Sequence, residues 1–215
     1  MKGILDDILA VVMGLVLLFI TLAIVIVLIF SAQSGSTCWG NTLTEVGKIQ
    51  SSFNELSNVG DTKLVFVSLE SCVDGIVFIN KDQFYKVFSS FDKFDILKNE
   101  LNCVDNFDAF IIASPRIQDG PSFVGVLGDF ALYDDSSNAR KWSETFIRDK
   151  TGLKPKPICK NVPVNKAVFD APSINEVPNL GGKFCITIKR LTEFTYTILS
   201  FQEVGSKEQC IPPST

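Results

Sequence analysis

Residues 8–30 place 23 side chains in a row with a single polar one, Thr21. No other feature limits the fold as strongly. At about 1.5 Å per residue, such a run makes a helix of roughly 35 Å, enough to cross a hydrocarbon core of ~30 Å with some tilt. A secretory signal peptide has a shorter apolar core, about 7–15 residues, followed by a small-residue cut site. Ala32 and Ser34 offer such a site, but the length of the run predicts retention. A buried helix of a soluble core is not expected at this length and purity. The sequence therefore divides into a tail at 1–7, a transmembrane helix at 8–30, a polar linker SAQSGST at 31–37 and a domain at 38–215. Lys2 and the terminal amine lie on one side of the span, and the other side has no charge before Glu45. Acidic residues count little in orientation, so the N-terminus is expected in the cytoplasm and the domain outside the cell membrane.

The cysteines point the same way. Cys38, Cys72, Cys103, Cys159, Cys185 and Cys210 all follow the apolar run. No C-x-x-C occurs, so neither a zinc knuckle nor a thioredoxin-type pair is indicated. An even, dispersed set beyond one span reads as disulfides in an oxidising space, with buried free thiols as the alternative. Six cysteines allow 15 pairings. Chain order favours Cys72 with Cys103, which bracket one strand–helix unit. The chain has no histidine, which removes Ser-His-Asp and Cys-His mechanisms and the commonest zinc ligand. No phosphate loop, dinucleotide fingerprint, calcium loop or N-glycosylation sequon is present. No catalytic, cofactor-binding or metal-binding residue is assigned, and no cofactor is expected. Asp134-Asp135, Asp105 and Asp108 read as turn residues before calcium ligands.

The domain reads as α+β: one mixed or antiparallel sheet with packing helices, stabilised by disulfides. Leu43, Val46, Ile49, Phe53 and Leu56 recur every three or four residues, which predicts a helix capped by Asn41 or Thr42 and closed before Gly60. TKLVFVSL, IVFIN and DAFIIASP read as strands, the first two covered on both faces. KDQFYKVFSSFDKFDILKNEL has a helical period in its phenylalanines, with Ser89-Ser90 a break between two helices. That stripe reads as core. KWSETFIRDK predicts a short helix. GKFCITIKRLTEFTYTILSF predicts a hairpin, with Phe184, Ile186 and Ile188 alternating on one arm and Phe194, Tyr196 and Ile198 on the other. Residues 154–183 hold five of the nine prolines and read as a long irregular strap pinned by Cys159.

The net charge of −4 conceals a split. Residues 91–135 carry nine acidic and three basic side chains; residues 140–166 carry eight basic and two acidic. Folding is expected to interleave these runs into ordinary solvated surface or make them face each other within one molecule, with head-to-tail contact between copies or docking of the basic part on anionic lipid or glycan as the alternatives. The basic stretch matches no nucleic-acid module, so nucleic acid is not an expected partner.

Lys2-Gly3 followed by Ile4-Leu5 and the apolar run resembles the class III signal of archaeal type IV pilin-like proteins. That resemblance implies a peptidase cut between Gly3 and Ile4 and a helix that assembles into a filament core. The CVDGIVFIN and FIIASP strands are loosely similar to single-span archaeal proteins of uncharacterised function that face the outside of the cell. Ala10 and Gly14 form one small-xxx-small pair suited to helix–helix contact. The sequence thus favours a membrane-anchored domain with a structural or binding role at the cell surface. Its expected partners are the lipid bilayer, and another copy or a surface protein. A pilin-like subunit comes second and an anchored enzyme third.

Overall fold

The computed structural model describes residues 2–89, 94–101, 103, 104, 106–116 and 157–211, with only the backbone described at 2–11, 27–36, 96, 97 and 100. The expected helix KWSETFIRDK, most of both charge runs, and Asp105, Asp134 and Asp135 lie outside the described residues. The chain forms two units, Met1–Thr37 and Cys38–Thr215.

Helix α1 runs Lys2–Ser52 without interruption. The backbone of the SAQSGST stretch, expected as a linker, is helical, and no cap starts a new helix at Asn41 or Thr42. Thr42 instead returns its hydroxyl to the Cys38 carbonyl at 2.9 Å, a bond that keeps a polar side chain inside a helix. The buried face is Cys38, Thr42, Val46, Ile49 and Phe53, with Leu56 just beyond, while Leu43 is exposed. One turn of 3-10 helix, Phe53–Glu55, ends the segment. Gly60 then takes φ +93 in the turn before the first strand, a conformation that glycine adopts without steric cost.

Two four-stranded sheets follow, where the sequence predicted one. The first has the order β1(Thr62–Leu69)-β7(Gly182–Arg190)-β8(Thr195–Glu203)-β5(Val168–Phe169). It is mixed, since β5 runs parallel to β8 and the other pairs are antiparallel. The second has the order β4(Ile158–Asn161)-β3(Ala109–Pro115)-β2(Val73–Asn80)-β6(Ser173–Glu176) and is antiparallel throughout. One apolar cluster joins the inner faces of both sheets to the last turns of α1. Phe53 meets Phe169 and Tyr196 edge-on, with ring centroids 5.9 and 5.3 Å apart, and Phe78 meets Phe169 at 5.7 Å. Helices α2(Lys81–Phe88) and α3(Phe94–Leu101) cover the other face of the antiparallel sheet, where Phe84, Phe88 and Leu101 pack on Val77, Ile79, Phe110 and Ile112.

This layering explains the strand patterns. β2 and β3 have apolar neighbours on both faces and read as continuous hydrophobic runs. β1 is an edge strand with alternating burial, so its expected two-sided cover is corrected: only Val65, Val67 and Leu69 face the core. The β7–β8 hairpin forms as expected, with a bulge between Thr187 and Ile188. The bulge shifts the inward positions of β8 to Tyr196, Ile198 and Phe201, and Phe194 falls in the turn. The proline-rich strap is not irregular. It carries β4, β5 and β6, three short strands at sheet edges, where prolines between strands cost no ladder bond.

Candidate functional site: an apolar helix and a cross-braced domain

Along residues 12–26 of α1 every described side chain is exposed, the large apolar ones between 44% and 63%. The exposure runs round the whole helix, so no single face is reserved for a core. Thr21, the one polar side chain, hydrogen-bonds the Leu17 and Leu18 carbonyls at 3.0 and 2.9 Å. Its hydroxyl is therefore satisfied within the helix. At Gly14 an added Cβ would meet nothing within 4 Å. Lys2, Gly3, Ile4 and Ala10 lie on the helical backbone, and their side chains are outside the described set. Among the described residues no helix is long and apolar enough to cross a membrane. The described side chains here number fifteen, about 22 Å of helix.

All six cysteines pair: Cys38 with Cys72, Cys103 with Cys159, and Cys185 with Cys210, at Cα separations of 6.4, 5.8 and 5.2 Å. The pairing of Cys72 with Cys103 is corrected. Cys103 follows α3 and joins β4, two strands away from β2, because the strap brings Cys159 to the far side of β3. Cys72 sits in the turn between β1 and β2 and joins α1. The three bonds close loops of 34, 56 and 25 residues in succession, none overlapping another. In the chain-entropy account, each stabilises the fold by roughly 3.5–4 kcal/mol.

Two arginines brace the domain by gripping backbone. Arg116, just past β3, donates from Nε to Ser71 O at 3.0 Å and from one terminal nitrogen to Val73 O, Val177 O and Pro178 O at 2.8, 2.7 and 3.1 Å. Its other terminal nitrogen bonds the Asn179 side chain and lies 4.0 Å from Asp74 Oδ1. At the other end of the strands, Arg190 donates to Leu56 O and Ser57 O at 2.8 and 2.7 Å and to Glu193 O at 2.7 Å. Asn80 joins the two sheets: its side chain accepts from Phe169 N at 2.6 Å and donates to Phe169 O at 2.8 Å. Glu45 and Gln50 tie α1 to two sheet edges, accepting from Ser68 N at 3.1 Å and donating to Asn161 O at 2.9 Å. Sequence reasoning missed all of these. No spacing marks a side chain whose partners are backbone groups of distant segments.

Tyr196 is fully buried, and its hydroxyl has no hydrogen-bond partner among the described residues. Burial pushes its phenol up from the ordinary value, against a smaller downward pull from Arg190, whose guanidinium lies 6.0 Å from the ring centre. Glu208, on the surface, is held below the ordinary carboxylate range, first by a hydrogen bond from Ser206. Asp108 is exposed, and among the described residues no group of three or more acidic or cysteine side chains could hold a metal. With every cysteine bonded, no thiol nucleophile is left. Comparison with protein-family models, with curated proteins and with solved structures gives no match to this chain.

Proposed function

We propose that this chain is a single-pass membrane-anchored protein whose domain lies on the extracytoplasmic side of the cell membrane, in a structural or binding role at the surface. The observation that carries the reading is the stretch of α1 at 12–26, where every described side chain is exposed and all but Thr21 are apolar or glycine. A helix hydrophobic on all sides needs apolar surroundings, and a bilayer provides them without a dedicated partner. The three disulfides support an oxidising compartment for the domain. Alkaline washing of native membranes tests the anchor. The chain is expected to stay with the bilayer until detergent is added, and its release by the wash alone would refute the reading.

A second reading is a pilin-like subunit that assembles through α1 after cleavage between Gly3 and Ile4. It is favoured by the continuity of α1, which carries the apolar stretch and the domain's own core positions on one helix. In that reading the apolar surroundings are other copies of α1, met at small positions such as Gly14 and Ala10. Sedimentable filaments sheared from cells, containing this chain without Met1–Gly3, would support it.

A further inference from the structure

We propose that the Cys38–Cys72 disulfide is a force shunt: tension arriving from the N-terminal side of the domain passes directly to β2 and spares residues 39–71. The proposal deepens the anchoring reading, which supplies the tension, but its geometry belongs to the domain alone.

The closed loop contains residues 39–52 of α1, the 3-10 turn and all of β1. Their inward side chains, such as Ile49, Phe53 and Val67, are buried in the core, but a single strand ladder ties the loop to the sheets. β1 pairs on one side only, with β7, and the helical segment is held by side-chain packing and a few polar contacts. Pulled in series, a strand held by one ladder gives way before a strand held by two, and the helix ahead of it has no ladder at all. The disulfide removes them from the path of tension and delivers it at Cys72, next to the first residue of β2.

The receiving end is built differently. β2 lies inside its sheet between β3 and β6, so displacing it breaks two ladders together. The turn that takes the pull is also the one Arg116 grips: its backbone N–H donates to Cys72 O at 2.8 Å, and its side chain bonds Ser71 O and Val73 O. Cys185–Cys210 repeats the arrangement at the other end of the domain. It encloses β8 and passes tension to β7, an interior strand of the mixed sheet. Because the three loops are consecutive, none blocks another's path.

Single-molecule pulling on the full chain in detergent, with handles at both termini, tests the shunt. In the double variant Cys38→Ser/Cys72→Ser, an added early event is expected below the first rupture force of the native chain. It should release about 12 nm, the length of 34 residues at ~3.6 Å each. A first rupture at unchanged force, with no early event, would overturn the proposal. Should the double variant not fold, Arg116→Ala keeps all three bonds and gives an independent reading. Its first rupture force should fall with no change in released length, and an unchanged force would overturn the shunt. Release from membranes by alkaline washing would remove the anchor and leave these traces as they are, so the two ideas fail separately.

Discussion

Arg116 holds three separate segments together through carbonyl groups, and each bond carries the charge of the guanidinium. Removing it leaves several carbonyls without their donor, so Arg116→Ala should destabilise the domain by about 2–4 kcal/mol in chemical denaturation. Arg116→Lys should recover little of that, since an ammonium cannot reproduce the planar fork. Tyr196 presents the opposite case. Its buried hydroxyl has no partner among the described residues, so Tyr196→Phe removes a desolvated polar group and keeps the ring contacts with Phe53. That change should leave stability at pH 7 unaltered or raise it by up to ~1 kcal/mol. The sign of its pH dependence follows from the raised phenol. The folded state holds its proton more tightly than the unfolded one, so this contribution is complete below about pH 10 and is lost as pH rises further. Denaturation of the native chain and Tyr196→Phe at pH 7 and above pH 10 should show the smaller alkaline loss in the variant. Gly181 has φ +72, and an added Cβ would lie 2.5 Å from the Leu69 carbonyl oxygen. Gly181→Ala should therefore cost about 1–3 kcal/mol, measured in the same way.

At the scale of elements, the last turns of α1 are fixed by the core they share with both sheets. Phe53 is buried where α1 meets both sheets, and Phe53→Ala should destabilise by about 3–5 kcal/mol in urea or guanidinium. The same substitution at exposed Leu43 should change stability by less than about 0.5 kcal/mol. The period of Val46, Ile49, Phe53 and Leu56 was legible in the sequence because it follows helical geometry. Leu43 was misplaced for a physical reason: Thr42 buries its methyl group and satisfies its hydroxyl within the helix, so a polar residue takes a core position. The continuity of α1 through SAQSGST was hidden because small polar residues are read as connectors from composition alone. β2 and β3 were readable as buried strands from their unbroken apolar runs. The division into two sheets was not, since it depends on which strand the chain returns to after each turn. The strap was misread because strands of two to four residues are too short to show a period.

For the whole molecule, sequence and structure contribute different parts. The α+β class and the disulfide set were legible, while the pairings were not, because contact across the strap is long-range in sequence. The proposal of an anchor rests on the apolar run and on the exposed side chains at 12–26. The domain contributes three closed loops, two arginine braces and a core shared by two sheets. Together these brace the domain from several sides. The most direct test is the intact mass of the chain extracted by detergent from native membranes, alkylated with and without prior reduction. The expected result is a membrane-retained chain that keeps Met1–Gly3 and takes up alkylating agent at six cysteines only after reduction. Six thiols alkylated without reductant would contradict the extracytoplasmic placement, and loss of Met1–Gly3 would replace the uncut anchor with the filament reading.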